Sequence, residues 1–156
     1  MMNPYTIGKK DIYAENFEFL SQGVKTFRMK VVYTYLGIEP ITQKHLYNLG
    51  FGVLSLDFEI GVEEIDDKIK TNNGDKHEIL STVALTAISF FDEHPNSILF
   101  FQGSSPSRTR TYQMAISQNL DSLKKDFLIR GYIKDIDLPE IFVKGKNYEA
   151  FLIEQK

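Results

Sequence analysis

The sequence contains no cysteine among its 156 residues, which excludes disulfide bonds, thiolate zinc sites and cysteine nucleophiles. It also lacks any run of about 20 apolar residues, the length that a membrane-spanning helix needs. The first residues, MMNPYTIGKKDIY, contain no apolar stretch of the kind found in secretory signals. We therefore expect a cytoplasmic protein that does not enter membranes.

The chain also lacks an excess of positive charge. The chain has 18 basic and 21 acidic residues, a net charge of -3 and a pI near 5.6. Proteins that coat duplex DNA usually need a strong positive field, so this role is disfavoured, whereas a local basic site remains compatible with the composition. Glycine and proline are too few for long disordered tracts. The length predicts a single domain over residues 1–156, and it leaves open whether residues 1–15 are well ordered.

The first half of the chain has the composition of β-strands. Residues 16–22 alternate polar and apolar side chains, and residues 24–37 are rich in β-branched and aromatic types, so Gly23 is predicted as the tight turn of a hairpin. Residues 44–61 form another strand pattern, in which Gly50 and Gly52 suggest a bulge or a hairpin corner. The acidic residues 62–70 fit either an edge strand or a single helical turn.

Two helices are predicted in the second half. Asp75 has the position of an N-cap with Glu78 three residues later, as in a capping box, and Pro95 ends the apolar helical pattern that follows. Residues 97–102 are typical of a buried strand. The second helix is predicted to begin near Ser105, with Pro106 in its first position. Its apolar stripe consists of Tyr112, Ile116, Leu120, Leu123 and Phe127.

The chain ends in three further strand patterns, at residues 127–134, 140–144 and 148–155, with residues 145–147 (GKN) as a hairpin turn between the last two. The whole order is strands, helix, strand, helix, strands. This order predicts an α+β fold in which two helices pack on one face of a mostly antiparallel sheet.

The junction between the buried strand and the second helix is the best candidate for a functional site. A helix N-terminus presents unpaired N–H groups and about half a positive charge, which favours bound anions. A glycine would let the backbone approach a ligand, serines would donate hydrogen bonds, arginines would bind phosphate or carboxylate, and a tyrosine would add a ring or hydroxyl contact. The predicted anion site comprises Gly103, Ser104, Ser105, Ser107, Arg108, Arg110 and Tyr112.

A purely structural interpretation explains part of the same stretch. Ser105 caps the helix and Pro106 begins it, and neither needs a ligand. Cations in a first helical turn oppose the macrodipole, so Arg108 and Arg110 need counter-charges. For each arginine alone, a permanent acidic neighbour is favoured over a ligand. The candidate neighbours form an acidic segment, which we otherwise interpret as a solvated strand edge and not as a Mg²⁺ or Ca²⁺ site: Asp57, Glu59, Glu63, Glu64, Asp66 and Asp67.

The remaining residue types give no complete signature. His45, His77 and His94 lack metal-ligand spacing, and no G-x-S-x-G motif marks a nucleophile, so no metal, cofactor or catalytic residue is predicted. Several aromatic residues fit core packing better than a stacking platform for single-stranded nucleic acid: Tyr33, Tyr35, Tyr47 and Phe51.

Five stretches together resemble a family of small bacterial proteins of unknown function that is common in Bacteroidota. They are LYNLGFG (46–52), NNGD (72–75), STVALTA (81–87), GSSPSRTRTYQMAIS (103–117) and GKNYEAFLIEQK (145–156). The resemblance extends from about Asn16 to the end of the chain. Where the family usually has an acidic residue after FG, this chain has Val53. The resemblance implies a cytoplasmic single-domain protein and brings no activity, substrate or cofactor.

Three functional hypotheses follow. The first is a binding or interaction module that recognises a phosphate-bearing ligand, or a carboxylate of a partner protein, at the start of the second helix. The second is a small ribonuclease or toxin–antitoxin component acting on RNA, with Tyr112 as a proton donor in one such scheme. The third is a homodimer whose arginines pair with the acidic segment. The sequence does not decide whether the protein is an enzyme.

Overall fold

The computed structural model describes residues 4–57, 62–66, 74–135 and 138–156, with side chains described outside residues 55–57 and 62–66. It contains nine strands and three helices. Their bounds are β1 Lys9–Lys10, β2 Asn16–Ser21, β3 Phe27–Ile38, β4 His45–Asp57, β5 Val62–Asp66, α1 Lys76–Glu93, β6 Ser97–Phe101, α2 Pro106–Gln118, α3 Leu120–Asp126, β7 Phe127–Tyr132, β8 Glu140–Ile141 and β9 Ala150–Gln155.

All nine strands belong to one sheet, with the order β1-β2-β3-β4-β6-β9-β7-β8 and with β5 paired to β4. Every pair is antiparallel except β4–β6, which α1 connects as a crossover. The prediction of an α+β fold with a mostly antiparallel sheet is confirmed. The placement of two helices on one face stays a prediction.

The hydrophobic core follows from alternation along the strands and from the apolar stripe of α1. Phe17 of β2, Val31 of β3 and Leu99 of β6 are fully buried, as are Phe90 and Phe91 at the end of α1. Burying an aromatic or large aliphatic side chain contributes about 1.5–3 kcal/mol each, so this cluster is a main source of folding free energy. Among the described helices, none is both long enough and apolar enough to cross a membrane.

The first hairpin forms as predicted, but its details differ. β2 and β3 pair from Asn16–Val32 to Ser21–Phe27, so residues 22–26 make a longer connection than the predicted tight turn at Gly23. The predicted bulge at Gly50 and Gly52 is wrong, because both residues pair one for one with β3. The irregularity lies on β3, between Tyr35 and Gly37, where Gly37 has a φ of 117°. The glycines of β4 therefore predicted a bulge that lies instead on the neighbouring strand, β3.

The acidic segment is partly described. Residues 62–66 form β5, which supports the edge-strand alternative, while residues 67–70 lie outside the described part of the chain.

Helix α1 begins after Asp75 as predicted, but the predicted capping box is wrong. The Asp75 side chain makes no hydrogen bond to the helix N-terminus. Its Oδ2 instead accepts from the Ser21 hydroxyl at 2.5 Å and from the Tyr5 hydroxyl at 2.7 Å. Asp75 therefore ties the helix start to the end of β2 and to the N-terminal segment.

Helix α2 begins at Pro106 as predicted, and the apolar stripe then continues into a separate helix. Asn119 ends α2 by donating through its side chain to the Ala115 carbonyl at 2.9 Å, and α3 starts at Leu120. Asparagine commonly competes for backbone hydrogen bonds in this way and so interrupts helices. The apolar pattern continues across the break because Leu120 and Leu123 still pack against the core.

The predicted C-terminal hairpin between residues 140–144 and 148–155 is wrong. β8 pairs with β7, and β9 lies between β6 and β7. Residues 144–145 do turn, with Gly145 at a φ of 89°, but this turn belongs to a connection between strands that are not neighbours. At the other end of the chain, β1 pairs with β2, and the Tyr5 N–H donates to the Thr82 hydroxyl at 2.8 Å.

Candidate functional site

The turn between β6 and α2 forms one wall of an open cleft with a volume of about 520 Å³. The opposite wall is the segment that leads into β9. From the predicted anion site, Gly103, Ser104, Ser105 and Arg110 line this cleft. The structure therefore brings four of the seven predicted residues to one opening.

Gly103 is required by the helix itself. A Cβ at this position would lie 2.5 Å from the Thr109 backbone nitrogen and 2.7 Å from the Arg108 Cβ, distances that real side chains do not adopt. The Gly103 N–H donates to the Thr109 hydroxyl at 3.0 Å. The sequence suggested that Gly103 lets a ligand approach the backbone. The contacts show that its missing side chain makes room for the first turn of α2.

Ser105 caps α2 and takes up part of its positive end. Its extended backbone is typical of an N-cap, and its Oγ accepts from the Arg108 N–H at 3.2 Å, while its carbonyl accepts from the Thr109 N–H at 3.0 Å. Pro106 has no N–H to offer. Within the described part of the chain, the Ser107 N–H is the donor of the first turn that stays open. The helix N-terminus alone is thus a weak anion site.

Arg110 supplies the positive charge of the cleft. Its side chain is exposed, and no carboxylate of the described residues lies within the 4.0 Å that defines an ion pair with it. Glu149 lines the same cleft from the opposite wall. Among the described residues, the cleft is therefore lined by one cationic residue, Arg110, and one acidic residue, Glu149, together with Ser104 and Ser105.

The other three predicted residues do not line the cleft. The Tyr112 ring stacks on Phe101 at a centroid distance of 4.9 Å and lies 5.3 Å from Phe51, so it packs against the sheet. Arg108 precedes Tyr112 by one helical turn and is half-buried, and Ser107 is exposed. The structure therefore separates Arg108 from Arg110, which the sequence had treated as a pair.

Gln113 and Tyr148 are among the cleft residues that the sequence analysis missed. Gln113 is buried, its Oε1 accepts from the Tyr148 N–H at 3.0 Å, and its Nε2 donates to the Lys146 carbonyl. These bonds fix the second wall to α2. The sequence did hold a signal for Gln113, because a glutamine on the inner side of a helix is buried and its amide then needs hydrogen-bond partners elsewhere in the fold.

Tyr148 anchors the second wall from inside the fold. Its hydroxyl donates to Glu140 at 3.1 Å and accepts from the Val143 N–H at 3.0 Å. Burial raises the pKa of its phenol, and the hydrogen bond to the Glu140 carboxylate raises it further. The Lys146 ammonium, 2.9 Å from that carboxylate, lowers the pKa of Glu140. The phenol is therefore neutral at pH 7 and serves as a packing and hydrogen-bonding group.

The histidines and Tyr33, which the sequence analysis also considered, lie outside the cleft. His77 and His45 are exposed, whereas His94 stacks on Phe90 at 4.4 Å. Among the described residues, no three His, Asp or Glu side chains come together as metal ligands. Tyr33 is buried and stacks on Phe90 at 4.3 Å, so it packs in the core as preferred and is not part of a platform.

The prediction that Arg108 and Arg110 pair with the acidic segment concerns acidic side chains that lie outside the described part of the structure. The backbone of Val62–Asp66 is described as β5, and Glu59 and Asp67 lie outside the described residues.

A second cavity of about 70 Å³ lies under α1, α2 and α3. Its lining is almost entirely apolar, with Leu80, Val83, Ile116 and Leu123 among the contributors. A small apolar void in a core is normally dry and lacks the polar groups that orient a ligand. We therefore assign it to imperfect packing and not to the functional site.

Comparison with known proteins places this architecture in a family. No curated protein matches the sequence, and no solved structure matches it either. One family model, described as a family of unknown function (DUF6934), matches residues 2–156. The match covers nearly the whole chain, including both walls of the cleft and the strands that support them. The chain belongs to DUF6934, a family of unknown function.

Proposed function

We propose that the protein is a binding or interaction module whose cleft between the start of α2 and the segment before β9 holds an anionic group, a phosphate or a carboxylate. The group belongs either to a small ligand or to a partner protein. One observation carries the proposal: Arg110 opens onto a cleft of about 520 Å³ without an ion-pair partner among the described residues.

Arg110 has suitable neighbours for this role. A guanidinium presents its donors in a fixed fork that matches the two oxygens of a carboxylate or phosphate. Ser104 and Ser105 add hydroxyl groups on the same wall. The dipole of α2 favours an anion at its N-terminus, although the Ser105 cap limits the number of open N–H donors.

Glu149 determines which anions fit. Glu149 is a lining residue, and its negative charge repels a ligand that carries negative charge throughout. The cleft therefore favours a ligand that has a hydrogen-bond donor or a cation next to its anionic group. Highly charged polyphosphates are expected to bind more weakly than a singly charged anion with a neighbouring donor.

Titration of the protein with inorganic phosphate, acetate, a nucleoside monophosphate and glycine tests the proposal. We expect Arg110→Ala to weaken binding about 10- to 100-fold, the range for losing a hydrogen bond to a charged group. Glu149→Gln should tighten the binding of inorganic phosphate. Arg108→Ala is the matched control, because Arg108 lies on the same helix outside the cleft, and it should change affinity by less than about threefold.

The proposal fails if none of these anions binds, or if Arg110→Ala binds them as well as the unchanged protein does. Far-ultraviolet circular dichroism of each variant ensures that a loss of binding is not a loss of fold.

The ribonuclease or toxin–antitoxin alternative has its own readout. The scheme with Tyr112 as proton donor lacks support, because the Tyr112 ring packs against Phe101 away from the cleft. Induced expression that leaves growth normal, and incubation that leaves single-stranded RNA intact, would count against any form of it.

A further inference from the structure

A separate opening lies where α1 ends beside β3 and β4. It has a volume of about 390 Å³ and is lined by aromatic rings and by one carboxylate. The principal lining residues are Tyr35, His45, Tyr47, Glu93 and His94. We refer to this opening as the aromatic cup. None of its residues belongs to the predicted anion site or to its cleft.

The rings of the aromatic cup are inclined to one another. Tyr35 and Tyr47 meet edge to face, with centroids 5.2 Å apart and planes at 61°. His45 is tilted 51° against Tyr35, and His94 is tilted 57° against Tyr47. The four rings are therefore not stacked in parallel. All four border one common space.

Hydrogen bonds hold these rings in place. The Tyr35 hydroxyl and His45 Nδ1 are 3.1 Å apart. His94 Nε2 lies 2.7 Å from the Tyr13 carbonyl, and because a carbonyl can only accept, Nε2 carries the proton. The His94 ring also stacks on the buried Phe90. The walls are therefore largely preorganised, which reduces the entropic cost of binding.

The electrostatics of the aromatic cup favour a cation. Of the residues that the structure describes, no lysine or arginine lines it, whereas Glu93 does. A second carboxylate, Glu15, lies 3.6 Å from His94 Nε2. Burial raises the pKa of Tyr47 first, and the negative charge of Glu15 raises it further, which is the effect of a negative local potential. Aromatic faces attract cations through their quadrupole, most strongly where the cation is weakly hydrated.

We propose that the aromatic cup binds an organic cation, either a quaternary ammonium group or the charged end of a basic side chain. The opening has room for a trimethylammonium or guanidinium group, with the rings of Tyr35 and Tyr47 beside the cation and Glu93 to balance its charge. Nucleic acid is disfavoured here, because the two carboxylates repel phosphates and the opening has no lysine or arginine among its described lining residues.

Titration with tetramethylammonium, followed by the side-chain NMR signals of tyrosine and histidine, tests this proposal. Tyr35 is 50% exposed, so its replacement should not unfold the protein. We expect Tyr35→Leu to weaken binding about 2- to 30-fold, whereas Tyr35→Phe keeps the ring and should retain most of the affinity. Glu93→Gln should weaken it about 2- to 5-fold. Tyr132→Leu, a half-buried tyrosine on β7 outside the lining, is the control.

Three further ligands separate the effect of charge from the effects of shape and of base stacking. Tert-butanol has nearly the shape of tetramethylammonium without its charge and should bind far more weakly. An arginine-containing peptide should compete with tetramethylammonium, and a single-stranded oligonucleotide should not. The proposal is overturned if tetramethylammonium causes no saturable shift, if Tyr35→Leu binds as before, or if tert-butanol or the oligonucleotide binds equally well.

Discussion

Gln113 and Tyr148 connect helix α2 to the segment before β9 through a hydrogen bond of 3.0 Å from the Tyr148 N–H to the Gln113 side-chain oxygen. The Gln113 amide nitrogen donates in addition to the Lys146 carbonyl. One side chain thus sets the distance between the two walls of the cleft. The shape of the candidate site depends on this contact as much as on the arginine that faces the cleft.

Replacing Gln113 with leucine should therefore destabilise the protein and loosen the cleft. The change leaves a buried N–H and a carbonyl without partners, which costs about 1–3 kcal/mol each when unsatisfied. We expect a loss of about 2 kcal/mol in the free energy of unfolding, measured in urea. Gln118→Leu, at an exposed position of the same helix, is the control and should change stability by less than about 0.5 kcal/mol. Equal effects of the two changes would contradict this role.

Gly131 tests the packing behind the same wall. A Cβ at Gly131 would lie 2.2 Å from Cδ1 of the Tyr148 ring, so an added methyl group must displace the ring or the strand. We expect Gly131→Ala to lower the free energy of unfolding by about 1–3 kcal/mol, and to do so less in a Tyr148→Ala background. In Gly50→Ala the new Cβ would meet only Asn48 Nδ2 at 3.6 Å, and stability should be nearly unchanged. A large effect at Gly50 with none at Gly131 would refute the packing described here.

A substitution at Asp75 can test whether its side chain links distant segments of the chain, which we call a tether, or caps helix α1. Serine is as good an N-cap as aspartate, so an ordinary cap would tolerate Asp75→Ser. In this structure the carboxylate instead accepts from Ser21 and Tyr5, which a serine side chain is too short to reach. We expect Asp75→Ser to lower the free energy of unfolding, measured with heat or urea, by about 1–3 kcal/mol. Ser105→Ala removes a true N-cap and serves as the comparison, with an expected loss of about 1 kcal/mol. An Asp75→Ser protein of unchanged stability would show that the tether is unimportant.

The lowered pKa of Glu154 should make the stability of the protein depend on pH. Burial alone would raise the pKa of its carboxyl, but hydrogen bonds from Lys44 and Arg130 outweigh burial and lower it below the usual 4.5. A depressed carboxyl pKa contributes stability above the unfolded pKa, and this contribution is lost as pH falls through the folded value. We expect the free energy of unfolding to decline below about pH 4.5.

Glu154→Gln should reduce that acid-dependent loss. It should not remove it, because the carboxyls of Asp11, Glu39 and Glu140 also have lowered pKa values. Urea unfolding at several pH values between 7 and 3 measures both curves. A Glu154→Gln protein with an unchanged pH profile would contradict the assigned role of Glu154.

Local signals made much of the fold predictable. Ser105 and Pro106 fixed the start of α2 because capping and the missing proline N–H act within a few residues. Pairing of distant strands had no such local signal. A turn does occur near the predicted GKN turn, at residues 144–145, but the predicted hairpin is wrong: β9 pairs with β6 and β7 instead of β8, a choice that depends on the whole sheet. The partners of Asp75 were hidden for the same reason, since they lie 54 and 70 residues away.

The candidate site was predictable only in part. The serines and Arg110 could be identified because a strand, a turn and a helix start lie close together in the sequence. The separation of Arg108 and Tyr112 from the cleft follows from which side of α2 packs on Phe51 and Phe101, and the second wall comes from residues about 40 positions away. Neither feature is encoded in the local pattern.

The binding of an anion beside Arg110 is the central claim, and mapping of backbone amide shifts during a titration with inorganic phosphate tests it most directly. We expect saturable shifts at Ser104, Ser105 and Ser107 and at the Arg110 side chain, and we expect Arg110→Ala to abolish them. Shifts that are absent from these positions, or that persist unchanged in Arg110→Ala, would contradict it.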